Sequence, residues 1–226
     1  MTYDLKGRRA LVTGGGTGIG FGIAEVLAAT GAEVTIAGRR SDVLQEAVER
    51  LGAAGLAVRA ATCDVTDDDQ VAQAVADAAG GENLDILVAN AGTGFVGTIL
   101  DLDPDGWDFP FRVNVVGTAS CIKHSARVMK EHGGGSIVVI SSTSGAKVQP
   151  WMAPYNVSKA GVDMLTRCAA IELSPHRIRV NSIRPGLTRR EAQSPIFTNA
   201  ALMARYREQT PLLRAGVPED CAPAVR

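Results

Sequence analysis

The segment Thr13-Gly14-Gly15-Gly16-Thr17-Gly18-Ile19-Gly20 constrains this chain more than any other. A short run of apolar and β-branched residues, Arg9–Thr13, precedes it, and an apolar helical stretch over 21–29 follows at once. Glycines at a strand-to-helix turn let the backbone bend tightly and come close to a ligand, while the free N–H groups and positive dipole end of the helix attract an anion. The arrangement is the opening unit of an open α/β sheet that cradles a dinucleotide pyrophosphate. Gly14, Gly16, Thr17, Gly18, Ile19 and Gly20 are therefore candidate cofactor contacts. The spacing is TGxxxGxG, and neither GxGxxG nor GxxxxGK[ST] is matched at this turn.

Five further runs of the same character lie at 33–37, 57–63, 85–89, 136–141 and 177–182, separated by helical patterns. They are continuously apolar rather than alternating, as expected when both faces of a sheet are covered, and the spacers are long enough for right-handed crossovers. A doubly wound, Rossmann-like parallel sheet of six strands in three α/β/α layers follows, within a single domain over 1–226. Ser41-Asp42 is expected to cap the second helix, and Thr66-Asp67-Asp68-Asp69 to open the third, over 71–79. Pro104 suits a first turn, but Pro110 would cost an interior hydrogen bond six residues later, so a kink or a late start is expected there.

Composition removes several classes of function. The 226 residues are 46% hydrophobic and 21% charged with net charge −1, which lacks the basic field that nucleic acid requires. Four cysteines without a CxxC pair and three histidines without ligand spacing argue against a metal site, and Cys63 and Cys168, in apolar runs, read as buried packing residues. No apolar run approaches the roughly 18 residues of a membrane span, and the N-terminal stretch lacks signal-peptide character, so a cytoplasmic location is expected.

The end of the second strand selects between dinucleotides, because a carboxylate there binds a ribose 2′-hydroxyl and repels a 2′-phosphate. The residues are Ala37-Gly38-Arg39-Arg40, with no acid and two guanidiniums that can clasp a phosphate, so NADP(H) is favoured over NAD(H). Arg39 and Arg40 would also suit a solvated helix entrance. Further on, Tyr155-Asn156-Val157-Ser158-Lys159 puts a phenol and an ammonium on one helical face. A phenol in water has a pKa of about 10, and a nearby cation favours the phenolate, which fits the pair for proton transfer.

With these motifs the chain resembles the classical short-chain dehydrogenase/reductase family, in particular its 3-oxoacyl-carrier-protein-reductase-like members. The resemblance implies a catalytic set of Asn114, Ser142, Tyr155 and Lys159. Ser142 stands thirteen residues before Tyr155, and Asn114 lies in Val113-Asn114-Val115. By the same resemblance Tyr155 exchanges a proton with a carbonyl or alcohol oxygen that Ser142 hydrogen-bonds, while hydride passes to or from the nicotinamide. Lys159 holds the nicotinamide ribose, and Asn114 positions a water. Asp64 and Val65 contact the adenine, although Asp64 also suits a turn. Asn90, Ala91 and Gly92 look like the family's NNAG with alanine in first place. Pro185 and Gly186 approach the nicotinamide. The family's carboxamide-binding threonine falls on Arg190 here, leaving Thr188 two residues early.

Family members usually continue beyond 218–220 with a helix, a seventh strand and a glycine-rich terminus, and this chain carries no counterpart. The resemblance therefore implies six strands, a substrate-loop region over 186–226, and a homo-oligomer whose usual interface lacks part of its surface. An alternative is an NADP-binding module of weak or no turnover. Phe95, Val148, Trp151, Met152, Leu187, Phe197 and Met203 are candidates for an apolar wall around a small-molecule substrate, or for ordinary loop packing.

Overall fold

The computed structural model describes residues 4–189, 195–208 and 210–225. The apolar runs form β1 (Arg9–Thr13), β2 (Glu33–Gly38), β3 (Val58–Thr62), β4 (Ile86–Ala89), β5 (Gly135–Ile140) and β6 (Ile178–Ile183), each within one residue of the expected bounds at either end. All pair in parallel, in the order β3-β2-β1-β4-β5-β6. The order reverses between β1 and β4, where Val12 stands beside Ile36 on one side and Val88 on the other. At such a switch point neighbouring crossovers leave on opposite faces, and a crevice opens beyond the strand ends.

The continuous apolar character follows from two cores. Leu11, Leu87, Ile137 and Val139 face α3 (Asp68–Ala79), α5 (Gly117–Glu131) and α6 (Ala153–Leu173), represented by Val75, Met129 and Val162. On the other side, Val12, Ile36 and Val88 pack with Ile23 and Leu27 of α1 (Gly18–Ala29) and with Leu44 and Leu51 of α2 (Ser41–Ala53). Alternate residues of one strand thus serve opposite cores, and neither face can be polar. No helix of the described residues is long and apolar enough to cross a membrane.

Helix boundaries depart from expectation in informative ways. Arg40, not Ser41, occupies the cap position of α2 and provides no side-chain cap; Ser41 and Asp42 are its first helical residues, with Asp42 offering its charge to the dipole instead. α3 starts at Asp68, three residues early, because the Asp67 carboxylate accepts the N–H groups of Asp69 and Gln70, both at 3.1 Å. After β4, α4 (Pro104–Phe111) is capped by Asp103, which accepts the Gly106 N–H at 2.8 Å. α4 does not start late: it begins at Pro104, and the chain continues beyond Pro110 into one π-helical turn, Arg112–Val116, and then directly into α5. A wider turn inserts one residue, so the break in the helical ladder at proline changes the phase of the side chains that follow.

The cysteine reading requires one correction. Cys63 is buried, but Cys168 is exposed, because buried Val162, Thr166 and Ala169 define the inward face of α6 and Cys168 falls outside it. Burial, then the charges of Asp64 and Asp67, push the Cys63 thiol up to about 11, and burial pushes Cys121 up to about 12. Iodoacetamide at about pH 8 is accordingly expected to label Cys168 and to spare Cys63 and Cys121 in the native protein. Mass spectrometry of the digested product reads the outcome, and labelling of Cys63 at a comparable rate would contradict the packing described.

Candidate active site

At the end of β1 the chain turns through Gly14, whose φ of +64° favours glycine. A side chain there would also collide, since a Cβ would lie 2.8 Å from Asn90 Nδ2 and 3.1 Å from Ala91 Cα. Three residues tie this turn to the end of β4. The buried Thr13 hydroxyl accepts the N–H groups of Asn90 (3.0 Å) and Ala91 (3.1 Å), while Asn90 Nδ2 donates to the carbonyls of Thr13 (2.9 Å) and Gly14 (3.1 Å). Asn90 thus ties β4 to the glycine turn across the switch point.

A cleft of about 300 Å³ opens above this junction. Gly14, Gly16, Thr17, Gly18, Ile19, Arg39, Arg40, Asp64, Val65, Asn90, Ala91 and Gly92 all line it. Gly20 does not, because a Cβ on it would meet the Gly14 carbonyl and lie 2.5 Å from Asn90 Nδ2, so its contribution is to let α1 pack against the turn. Thr17 occupies the cap position of α1 without a side-chain cap, and no acid stands in the first turn. The start of α1 therefore meets the cleft with its N–H groups uncapped by any side chain, which suits an anion. Asp64 accepts the Thr66 N–H (2.9 Å) and hydroxyl (2.8 Å). Desolvation raises its pKa, but these bonds and the charges of Arg39 and Arg112 outweigh it and hold the carboxyl below its ordinary range. Asp64 is both a turn residue and part of the cleft wall.

Gly92, in the wall of this cleft, also adjoins two of the catalytic candidates, Asn114 and Lys159. Asn114, in the π-helical turn, is fully buried; its Oδ1 accepts the Thr93 N–H at 2.8 Å, and its Nδ2 donates to Thr93 O and Ser158 Oγ, both at 2.9 Å. Ser158 donates to the Tyr155 carbonyl at 2.8 Å. Lys159, 5% exposed, donates from Nζ to the Ile140 carbonyl at 2.9 Å. A Cβ on Gly92 would lie 3.2 Å from Asn114 Oδ1 and 3.4 Å from Lys159 Nζ, so both side-chain ends adjoin this one backbone position and a larger residue there would crowd them. Lys159 Nζ is 5.9 Å from the centre of the Tyr155 ring.

Ser142 is the second residue after β5, and its hydroxyl accepts the Ser144 N–H at 3.1 Å. It is held against α6 through its neighbour, since Ser141 Oγ donates to the Lys159 carbonyl at 3.3 Å; among the described residues it has no bond to Tyr155. The Pro185-Gly186 turn joins the same region, with Thr143 N donating to Pro185 O at 3.0 Å. The Thr188 hydroxyl donates to Gly186 O at 3.2 Å within that turn, and the residue bridges to Gly216. Arg190 lies outside the described residues.

The expected apolar wall divides. Met203 is buried, Val148 and Trp151 are 77% and 69% exposed, and Phe197 lies 5.7 Å beneath the Arg189 guanidinium. Met152 bridges to Gly97, next to the loop that carries Phe95. Two residues were missed by sequence reasoning. Ser158 stands three after Tyr155, a spacing at which a helical serine bonds back to the backbone, and Thr13 is the last residue of β1.

Comparison with known proteins matches residues 14–226 to the family described as enoyl-(acyl carrier protein) reductase. Dehydrogenase/reductase SDR family member 4 of Homo sapiens is 37% identical over 222 residues, 96% of this chain and 79% of that protein. The structure of a short-chain type dehydrogenase/reductase from Mycobacterium ulcerans is similar with a TM-score of 0.94 at 41% identity, covering 99% of this chain and 82% of that one. A gluconate 5-dehydrogenase from Burkholderia cenocepacia J2315, in complex with NADP and tartrate, gives a TM-score of 0.92 at 32% identity over 99% of this chain and 88% of that one.

The packing argument for Gly20 is checked by Gly20→Ala, which is expected to lower unfolding stability by about 1–3 kcal/mol. Gly52→Ala, where nothing lies within 4 Å of the new Cβ, is the control and is expected to be neutral or slightly stabilising. Urea denaturation compares the two, and equal midpoints would remove the argument.

Proposed function

This chain belongs to the short-chain dehydrogenase/reductase family, and we propose that it is an NADP(H)-dependent oxidoreductase acting on a carbonyl or secondary alcohol, with Tyr155 as general acid and base. The observation that carries the reading is that buried Asn114 and buried Lys159, the latter one helical turn from Tyr155, both adjoin Gly92, which lines the glycine-loop cleft.

The residues fit a dinucleotide. Gly92 leaves open a place that a Cβ would fill, the start of α1 offers N–H groups that no side chain caps, and two guanidiniums stand where an acid would repel a 2′-phosphate. Gly14, Gly16, Thr17, Gly18 and Ile19 would hold the pyrophosphate, with Gly20 shaping the turn behind them. Arg39 and Arg40 would hold the 2′-phosphate, and Asp64 and Val65 the adenine. Asn90, Ala91, Gly92, Tyr155, Lys159, Pro185, Gly186 and Thr188 would border the nicotinamide riboside. The complex of the Burkholderia gluconate 5-dehydrogenase with NADP supports the choice of cofactor.

When bound, the nicotinamide supplies or accepts the hydride. Tyr155 then gives its phenolic proton to the substrate oxygen as negative charge develops there, and takes a proton back in the oxidative direction. Ser142 Oγ donates a hydrogen bond to the same oxygen, stabilising that charge. Lys159 holds the ribose hydroxyls and keeps a cation one turn from the phenol, while Asn114 positions a water that relays protons.

A small apolar carbonyl compound or alcohol is the substrate class, met by the loops that carry Phe95, Trp151, Met152 and the 186–226 region. Exposed Val157, Met164 and Ile171 on α6 support a homo-oligomer, and the reading places it in the cytoplasm.

Two substitutions test this. Tyr155→Phe is expected to reduce turnover by about 100-fold or more while leaving NADPH affinity nearly unchanged; undiminished turnover on a genuine substrate defeats the assignment. Arg39→Ala with Arg40→Ala is expected to weaken NADPH binding about tenfold and leave NADH binding alone. Fluorescence titration with both nucleotides decides, and parallel losses would show that the arginines do not read the 2′-phosphate.

A further inference from the structure

Asp163 carries a buried charge that the chemistry above does not use. Its side chain is 6% exposed, and Oδ2 accepts Arg184 Nε at 2.9 Å, from a side chain 41% exposed. Oδ1 is buried and has no hydrogen-bond partner among the described residues. A carboxylate with one oxygen unsatisfied recovers little of its desolvation cost, and a buried ion pair of this kind is often no better for stability than apolar packing. Its value has to be sought in what it holds together.

Three segments meet at this carboxylate. Asp163 lies one turn beyond Lys159 on α6. Gly145, which ends the short turn after Ser142, approaches so closely that a Cβ would lie 2.7 Å from Asp163 Oδ2 and 2.9 Å from Lys159 O. Arg184 immediately precedes Pro185 and Gly186, and the Pro185 carbonyl accepts the Thr143 N–H at 3.0 Å, closing the circle back to Ser142. The helix with the phenol and ammonium, the strand end with the serine and the turn assigned to the nicotinamide are therefore referenced to a single side chain.

We propose that Asp163 is a positioning residue, which through Arg184 sets the Pro185-Gly186 turn and the Ser142 strand end in register with α6. The proposal rests on the cofactor assignment given above. It distinguishes the two ends of the dinucleotide, because the 2′-phosphate and adenine groups are assigned to Arg39, Arg40 and Asp64 at the opposite end of the cleft. Losing the Asp163 charge disturbs the nicotinamide end alone.

The test titrates wild type, Asp163→Asn, Arg184→Leu and the double variant with two probes, NADPH and adenosine 2′,5′-bisphosphate, which occupies only the adenine end. Each single variant is expected to bind NADPH about tenfold more weakly, as follows from a displaced contact surface, and to bind the bisphosphate as wild type does. The double variant is expected to be no weaker than either single one, since the two residues act as one unit. Equal losses for both probes would mean general loosening of the fold and would overturn the proposal, as would unchanged NADPH binding or additive losses. If Asp163→Asn does not fold, Arg184→Leu, at a half-exposed position, decides by the same comparison. A wild type that binds neither probe defeats the cofactor assignment itself, and the positioning role with it.

Discussion

The hydrogen bonds between Thr13 and Asn90 are the interaction on which the site depends. They lie where the sheet reverses its order and no crossover helix covers the strand ends, so the backbone groups at the ends of β1 and β4 need partners from elsewhere. Thr13 meets that need with one hydroxyl that accepts from two N–H groups, and Asn90 with one amide that donates to two carbonyls. The geometry of the glycine turn is fixed as a result. Gly14 and Gly20 have no room for a side chain because the Asn90 amide stands where a Cβ would go. The cleft is thus the surface left over once the open end of the sheet has satisfied its own polar groups.

The second requirement is to bring the buried Asn114 amide, between α4 and α5, against Ser158 of α6. Asn114 reaches Ser158 only because the chain between α4 and α5 widens by a π-helical turn, which turns the side chain onto Thr93 and α6. Pro110 lies shortly before that turn and disfavours an uninterrupted α-helix there. The irregularity sits at the position with the most demanding hydrogen bonds, and Asn114 in turn holds the loop that carries Gly92 through both backbone groups of Thr93.

The sheet was legible in the sequence because burial on both faces leaves continuous β-branched runs, and such runs end sharply where glycine and capping residues begin. The strand-to-helix turn was legible for a related reason: glycine adopts the positive φ found at Gly14 and Gly18 without strain. What escaped were choices between near neighbours. Asp67 caps α3 where three consecutive acids offered the same chemistry, and Arg40 precedes α2 where serine was available. Cys168 sits in an apolar run and yet faces outward, since periodicity and not composition decides the face of a helix. Ser158 was concealed inside a motif whose other members attract attention. Asp163 and Arg184 are far apart in sequence, and nothing in either neighbourhood announces that they meet.

These features divide the work between backbone and side chains. The glycine-loop end of the cleft is shaped by main-chain groups, which have few conformations to lose on meeting a ligand and tolerate little substitution. Beside Gly92, Lys159 and Asn114 are buried polar side chains, and each is fastened by a bond to a carbonyl, Ile140 O or Thr93 O, that belongs to a strand end or its following loop. A buried amine or amide without such a partner would be expensive to keep in place, whereas one bonded to the sheet inherits the rigidity of the sheet. The sheet therefore does more than support the site. Its strand ends and the loops that follow them provide the acceptors that make it affordable to bury an ammonium and an amide beside Gly92.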